Sequence, residues 1–414
     1  MKFLILFLLA FNIFASSIEF ETASNNTIDI TTFAGNGKNL IIYLPSSRGL
    51  GNQYPKWANN LTFDGFDIWA LNLHSSYMLS KTKSSIDKFN IDDIVEIANF
   101  AKAQKFKNLY FITSGRGAKL ALKAAYRYQK KYKNKFIKGS IFHSPHLIVG
   151  NPKIGENADY DKIAKYNNLP VFIIISDSST KFFRINEITK LLNSSGTFSK
   201  VRVFKNISAG FFMKPDSRLT AKDIVTRNKL PIFYQDAINW INKEKITAVI
   251  EFKQGDDKNQ KNTFSVDLKP LNQVAEKLEL LDLDGKKFNL ESMQNKVVLL
   301  NFWASWCKPC VREIPSLLRL KAKIINSNFE IITVNIGESK AKILKFKAKL
   351  KREKQVDFNL PILFDVDGSA TRKWRIYAYP SNYIIDKKGI IKYGYRGALE
   401  WDRDDIIKTI EELL

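Results

Sequence analysis

The sequence predicts an α/β protein with two domains, and three observations support this fold class. Short apolar runs with strand composition alternate with stretches of helical spacing over residues 35–245, and a second alternation of this kind covers residues 264–414. Between them, residues 254–263 are polar, contain a glycine and lack apolar periodicity, which is typical of a linker. Since strands that alternate with helices usually pair in parallel, we expect a doubly wound sheet in the first domain.

The composition is compatible with two folded domains. Hydrophobic residues make up 45% and charged residues 26% of the 414 residues, so the chain can bury apolar cores. The net charge is +24, and residues 264–414 contribute only 27 basic against 20 acidic side chains. Lysine spread over the surface explains this charge better than a dedicated binding face. We therefore expect no nucleic-acid partner and leave peripheral contact with an anionic membrane open.

Residues 1–17 are predicted to be a secretory signal peptide. Lys2 precedes an apolar run over residues 3–14, and small residues follow at 15–17, in the order that secretory signals have. The run is shorter than the roughly 20 residues that span a bilayer as a helix, so an uncleaved anchor is the weaker alternative. We expect the mature protein to be periplasmic or secreted.

The first domain, residues 18–253, has the pattern of a parallel sheet with helices around it. Its apolar runs have the length and composition of buried strands, and stretches of helical spacing lie between them. Strands are predicted at 40–44, 67–71, 109–112, 139–142, 171–175 and 201–204, and helices at 91–105, 118–132, 185–192 and 232–241.

The second domain, residues 264–414, repeats the α/β pattern on a smaller scale. A continuous apolar run over residues 297–302 predicts a buried strand that leads directly into the cysteine motif. The remaining predicted elements are a helix at 310–323, a strand at 329–334, a lysine-rich helix at 340–354, a hairpin of 383–386 and 390–393, and a helix at 404–413.

Both cysteines of the chain lie in one motif between a strand and a helix, residues 303–310. Cys307 is predicted at the helix N-terminus, where the helix dipole and free N–H groups stabilise a thiolate. Cys310 lies one turn further on, and Pro309 suits the first helical turn. Such a pair can attack a disulfide with one sulfur and release the product with the other.

Two other roles for the cysteine pair are weaker. A purely structural disulfide would close a four-residue loop and would restrain the unfolded chain little. A zinc site would need two more ligands, and the three histidines of the chain all lie in the first domain. The sequence therefore predicts a redox disulfide and no metal or other cofactor.

The segment Leu299–Pro315, with its WCKPC core, resembles the active-site segment of thioredoxin-fold proteins of the TlpA/ResA/DsbE type, and the resemblance covers about residues 264–414. It implies a thioredoxin-like domain and an extracytoplasmic thiol–disulfide oxidoreductase, with Cys307 and Cys310 as its catalytic cysteines. In that family the proline at position 380 is cis and faces the dithiol. The resemblance thus assigns Pro380, Tyr379 and Trp306 to the groove that binds the substrate.

The resemblance also implies a role for Glu313, six residues after Cys307. A buried carboxylate at this position relays protons and raises the pKa of the dithiol. The alternative is a solvated helix residue paired with a lysine. The implied partners are protein disulfides, apocytochrome c among them in cytochrome c biogenesis, and a membrane-embedded electron donor of the DsbD/CcdA kind.

The strand–turn–helix at residues 108–122 resembles the nucleophile elbow of α/β-hydrolases, although Gly115 occupies the nucleophile position. Ser114 lies one place early, Asp177 could supply the acid, and no histidine follows the late strand where the base belongs. We therefore expect an α/β-hydrolase-like domain that is catalytically inactive and serves in binding. The pair His143 and His146 is expected to be structural.

Two alternatives remain open from the sequence alone. The first domain could be an esterase that uses Ser114 as a displaced nucleophile, which would make the protein bifunctional. The protein could instead be a binding protein in which the dithiol gates a clamp. The lysine-rich helix at 340–354 could contact a membrane or a partner, but a solvated face of the fold explains it better.

Overall fold

The computed structural model describes residues 15–35, 37–62, 65–104, 106–150, 152, 154–251 and 268–414. These residues form two compact units, one with residues 15–147 and 160–251, the other with residues 148–159 and 268–414. Each unit contains its own sheet with helices, so the α/β class is confirmed. The predicted linker and residues 1–14 of the predicted signal lie outside the described residues.

The sheet of the first unit is mostly parallel. Its strands are β1 (Ser16–Glu21), β2 (Thr27–Phe33), β3 (Asn39–Tyr43), β4 (Phe66–Leu71), β5 (Asn108–Ser114), β6 (Ile137–His143), β7 (Val171–Ser176) and β8 (Ser199–Phe204). In the described residues the order is β1-β2-β4-β3-β5-β6-β7-β8. The strands from β4 to β8 pair in parallel, whereas β1 and β2 form an antiparallel edge.

Helices cover both faces of this sheet. They are α1 (Tyr54–Thr62), α2 (Leu73–Ser76), α3 (Ile91–Ala103), α4 (Gly117–Tyr132), α5 (Ile185–Leu192), α6 (Ala221–Asn228) and α7 (Leu230–Lys243). One apolar cluster packs α3, α4 and α5 on one face, and another packs α1 and α7 on the other. The doubly wound sheet is thus confirmed, and burial on both faces explains why its central strands are continuous apolar runs.

The second unit also has a central sheet. Its strands are β9 (Lys269–Val274), β10 (Glu279–Asp282), β11 (Lys287–Asn289), β12 (Val297–Trp303), β13 (Phe329–Ile336), β14 (Ile362–Asp365), β15 (Ser381–Ile385) and β16 (Ile390–Arg396), and its helices are α8 (Lys308–Lys323), α9 (Lys340–Lys354), α10 (Ser369–Lys373) and α11 (Asp404–Glu411). The sheet order is β11-β10-β14-β13-β12-β15-β16-β9. Strand β12 is buried along its whole length and pairs in parallel with β13 and antiparallel with β15.

Residues 148–159 leave the first unit between β6 and β7 and belong to the second. The backbone N–H of Ala158 donates to Oη of Tyr377 at 2.8 Å, and the guanidinium of Arg396 donates to the carbonyl of Pro152. The sequence pattern gave no sign of this segment, because its contacts lie more than 200 residues away.

The lysine-rich stretch forms α9, as expected. Ile343 and Leu350 are buried under it, whereas Leu344 is 46% exposed. The lysines therefore form the solvated face of a helix that is packed on its own unit. Within the described part of the chain, no helix is long and apolar enough to cross a bilayer.

Candidate active site

The cysteine pair lies where β12 ends and α8 begins. Cys307 is the N-cap residue of α8, with extended backbone at φ −87° and ψ 97°, and Pro309 stands in the first turn. Cys307 and Cys310 form a disulfide with a Cα–Cα distance of 5.3 Å. The backbone N–H of Cys310 donates to Sγ of Cys307 at 3.3 Å, so the capping atom of the helix is the sulfur itself.

The two cysteines differ in their exposed fraction, but both are buried. Cys307 is 6% exposed and Cys310 is 1% exposed. In the oxidised form Cys307 is therefore covered as well, although it lies at the start of the helix. Cys307 is still the more exposed residue of the two.

After reduction, Cys307 is expected to react with iodoacetamide at least about tenfold faster than Cys310. The reason is that Cys307 lies at the positive end of the α8 dipole and is the more accessible of the two. Mass spectrometry after brief exposure of the reduced protein measures the two rates. Preferential labelling of Cys310 would reverse the assigned roles.

The predicted groove residues meet beside the end of β12. The Tyr379–Pro380 peptide bond is cis, as the resemblance implies. The rings of Trp306 and Tyr379 stand edge to face with centroids 5.9 Å apart. Ser381, directly after Pro380, pairs with Phe302 on β12. The geometry thus brings Trp306, Tyr379 and Pro380 together next to the cysteine motif, and their role in substrate binding stays a prediction.

Glu313 is buried on α8, three residues after Cys310 and therefore on the same helix face. Its side chain accepts hydrogen bonds from Nδ2 of Asn301 at 2.7 Å, from Nε1 of Trp401 at 3.3 Å and from the backbone N–H of Leu399 at 3.4 Å. It is 1% exposed, so the alternative of a solvated helix residue is wrong.

Burial raises the pKa of Glu313 to about 8, and the hydrogen bonds from Trp401, Asn301 and Leu399 oppose this rise only in part. Glu313 is therefore mostly protonated at neutral pH. This alters the expectation from the sequence, in which a negative Glu313 raises the pKa of the dithiol. Near pH 7 the residue holds a proton that it can donate, and it disfavours a nearby thiolate only at higher pH.

The partners of Glu313 were missed in the sequence. Nδ2 of Asn301 also donates to Oδ1 of Asn382 at 2.6 Å, so one amide joins the glutamate to the strand that follows Pro380. A signal for Asn301 did exist, since it is the polar residue inside an otherwise apolar strand. Trp401 and Asn382 gave none, because only the fold brings them to this place.

Glu338, which the sequence did not single out, holds the loop before Cys307. Its carboxylate accepts from the backbone N–H and the hydroxyl of Ser305 at 2.7 and 2.6 Å, and from Nδ2 of Asn335 at 2.9 Å. Nζ of Lys342 forms an ion pair with it at 2.8 Å, although the Glu338 side chain is only 1% exposed. These contacts fix Ser305, two residues before Cys307.

Glu338→Ala is expected to lower the free energy of unfolding of the second unit by about 2–4 kcal/mol, because the amide of Asn335 and the N–H of Ser305 lose their acceptor. Denaturant unfolding of the oxidised protein measures the change. Glu353→Ala is the matched control on the exposed face of α9, and it should change stability by less than about 1 kcal/mol. Equal losses in the two variants would contradict the anchoring role.

The turn after β5 has the shape that the sequence indicates. Gly115 has a left-handed backbone at φ +55°, and Ser114 ends the strand before it. A Cβ on Gly117 would lie 2.0 Å from Oγ1 of Thr113 and 2.5 Å from the carbonyl of Pro45, so only glycine fits there. Gly115 supplies no nucleophile at the apex of this turn.

The two histidines of the first unit near this turn differ in their surroundings. Nε2 of His143 lies 2.6 Å from the hydroxyl of Tyr234, the ring stacks on Phe212, and burial lowers the His143 pKa to about 3. His146, which precedes the late strand, is bonded to the turn through its backbone, since its N–H donates to the carbonyl of Gly115 at 2.9 Å. Asp177, which the sequence suggested as the acid, accepts a hydrogen bond from the backbone N–H of Asn206.

Comparisons with known proteins concern the part that carries the cysteine pair. The model of the AhpC/TSA family matches residues 271–394. The thiol-disulfide oxidoreductase ResA of Geobacillus thermodenitrificans is 31% identical over 134 residues, which are 32% of this chain and 72% of that protein. The thioredoxin-like protein YneN of Bacillus subtilis is 35% identical over 127 residues, 29% of this chain and 68% of that protein.

Solved structures give similar matches. A putative thiol:disulfide interchange protein DsbE from Chlorobium tepidum is 26% identical, with a TM-score of 0.29, and the match covers 36% of this chain and 96% of that one. A putative protein disulfide isomerase from Bacteroides thetaiotaomicron is 27% identical, with a TM-score of 0.31, over 36% and 94% of the two chains.

Proposed function

The chain belongs to the family of ResA-type thiol–disulfide oxidoreductases, and from this premise we propose that it reduces disulfides of proteins outside the cytoplasm through Cys307 and Cys310. The observation that carries the proposal is the disulfide at the start of α8, whose capping sulfur belongs to Cys307. A sulfur at a helix N-terminus is favoured as a thiolate and therefore as the attacking atom.

In the proposed cycle, the thiolate of Cys307 attacks one sulfur of a target disulfide and expels the other as a thiolate. The thiolate of Cys310 then attacks Sγ of Cys307, which frees the second target sulfur and forms the disulfide that the structure contains. The target gains two electrons and the enzyme loses them. Two protons are needed to leave both target sulfurs as thiols.

Glu313 supports the proton part of this cycle. Its raised pKa of about 8 leaves it protonated near neutral pH, and it shares a helix face with Cys310. In its protonated form it can give a proton to a departing thiolate, and the carboxylate that remains can then take a proton from Cys310 as that thiol becomes nucleophilic. Trp306, Tyr379 and Pro380 then form the surface against which the target segment lies.

The finer parts of the proposal rest on the family and on the N-terminal sequence. We propose that the signal-like residues 1–17 direct the protein to the periplasm or secrete it. A membrane-embedded donor of the DsbD/CcdA kind would then reduce the disulfide again. Apocytochrome c is a candidate target among extracytoplasmic proteins.

Reduction of insulin by dithiothreitol tests the activity and its direction. We expect the full-length protein to accelerate precipitation of the insulin B chain, and the double variant Cys307→Ser, Cys310→Ser to give the background rate. We also expect the oxidised protein to form disulfides in reduced ribonuclease slowly. Fast oxidation of ribonuclease without acceleration of insulin reduction would contradict the reductive function.

For the first domain we propose a non-catalytic, α/β-hydrolase-like binding module. Its parallel sheet, its glycine turn after β5 and the absence of a side chain on Gly115 support this proposal. We expect no saturable hydrolysis of short acyl esters, and we expect Ser114→Ala to leave insulin reduction unchanged. Ester turnover that is saturable and lost in Ser114→Ala would instead support the bifunctional alternative.

A further inference from the structure

Basic side chains lie on the loops that follow adjacent strands of the first unit. Strands β3, β5, β6 and β7 are neighbours in the sheet and parallel, so their carboxyl ends share one edge. The loops after them carry Arg48, Arg116, His146 and Lys181, and the loop after α2 adds Lys83. We call the four basic side chains together with His146 the cation cluster. Ligands of open α/β sheets bind at this edge of the strands.

The charges of these loops act on two of the five side chains, Lys181 and His146. Burial, and after it the positive charges of Arg48, Arg116 and Lys83, lower the pKa of Lys181 to about 8. The pKa of His146 is also lowered, first by burial and then by the charges of Arg116, Lys181 and Lys83. Arg116, His146 and Lys181 are half-buried, whereas Arg48 and Lys83 are exposed.

Two acidic side chains near the cluster also bind a lysine outside it. Asp87 is the carboxylate whose charge acts on Arg116, and it also binds Nζ of Lys119. Lys119 forms a second ion pair with Asp161 at 2.8 Å. Asp87 and Asp161 are therefore shared with a lysine outside the cluster, and Asp177, which follows β7, accepts the backbone N–H of Asn206.

Three features of this turn favour a ligand. A Cβ on Gly115 would meet no atom within 4 Å, so the apex of the turn is open. Nε2 of His146 is buried and has no hydrogen-bond partner among the described residues, although the His146 backbone is bonded to Gly115. The positive end of α4, a helix of 16 residues, starts at Gly117, and Arg116 gives it no side-chain cap.

We propose that the cation cluster at the Gly115 turn binds a phosphate group of a ligand. A phosphate carries nearly two negative charges and several acceptor oxygens, so it can bind arginine and lysine at once. A neutral histidine can add one hydrogen bond. Because Gly115 has no side chain, the apex of the turn carries no nucleophile and leaves space for the phosphate oxygens. The site gives the first domain a ligand of its own, separate from the dithiol.

The phosphate group can come from a soluble ester or from a lipid headgroup, and the test has one arm for each source. Calorimetric titration of the full-length protein with inorganic phosphate, at constant ionic strength, is expected to show saturable binding. Sedimentation with phosphatidylcholine vesicles, with and without phosphatidic acid, examines the headgroup. Lys181→Gln and Arg116→Gln should each weaken the binding at least about tenfold, as expected for the loss of one charge-assisted hydrogen bond.

Lys190→Gln is the matched control, since Lys190 is an exposed lysine of the same unit on α5, outside the cluster. It should change binding less than about twofold. If a cluster variant is unfolded by circular dichroism, Arg48→Gln replaces it, because Arg48 is exposed. Binding to phosphate alone, or to phosphatidic acid vesicles alone, that is lost in cluster variants supports the site. Absence of saturable binding in both arms, or equal weakening by Lys190→Gln, overturns it.

Discussion

Cys310→Ala is expected to lower the turnover of insulin reduction by about a thousandfold or more, because the mixed disulfide on Cys307 loses its internal nucleophile. The variant should therefore accumulate a covalent adduct between Cys307 and its target. Non-reducing gels followed by mass spectrometry identify the adduct, and in cells the same variant should hold the physiological target. Slow residual turnover should depend on the concentration of external thiol.

Cys307→Ala provides the comparison. It should lose turnover to a similar extent but form no adduct, because the attacking sulfur itself is absent. Glu353→Ala, on the exposed face of α9, should retain normal turnover. Adducts on Cys310 in the Cys307→Ala protein, without adducts in Cys310→Ala, would show that the sulfurs exchange roles.

Glu313→Gln is expected to become more stable relative to the wild type by about 2–4 kcal/mol as the pH rises from acidic to mildly alkaline values. Burial raises the pKa of Glu313 from 4.5 to about 8, so in this window the folded protein holds a proton that the unfolded chain has released. The stability contributed by the protonated group is complete below pH 4.5 and is lost as the pH rises through 8. Glutamine remains neutral and loses nothing over this range.

Denaturant midpoints of both proteins across this pH range measure the difference. Glu411→Gln, an exposed glutamate on α11, is the control and should give a curve parallel to that of the wild type. Glu313→Gln should also slow insulin reduction near neutral pH, since the stored proton is gone. If its stability curve runs parallel to the wild type, Glu313 is ionised in the folded protein and stores no proton.

The sequence indicated the reactive pair because its signal is local. Cys307, Pro309 and Cys310 lie within four residues, and the strand before them and the helix after them have clear periodicity. By contrast, the state of Glu313 depends on Trp401 and Leu399, which lie more than 80 residues away. Burial by distant residues leaves no trace in a short motif, so the sequence could predict the residue but not its protonation.

The first unit shows the same limit. The central strands were predictable because they are buried on both faces, whereas β1 is exposed at alternate positions and lacks an apolar run. The cation cluster could not be found in the sequence, since its members come from separate loops and only the parallel sheet brings those loops to one edge. The sequence alone suggested a structural role for His146. In the structure its backbone N–H donates to the carbonyl of Gly115, which places it at the cluster.

Residues 148–159 belong to the second unit, and this determines which fragments of the protein keep that unit intact. A fragment that begins at the predicted linker would omit this segment, so Tyr377 would lose the N–H of Ala158 and Arg396 would lose the carbonyl of Pro152. Ile154, which is 5% exposed, would be missing from its place beside Gly394. Residues 268–414 are thus covered in part by a distant stretch of the chain, and the roles of the two units are best separated with point variants in the intact protein.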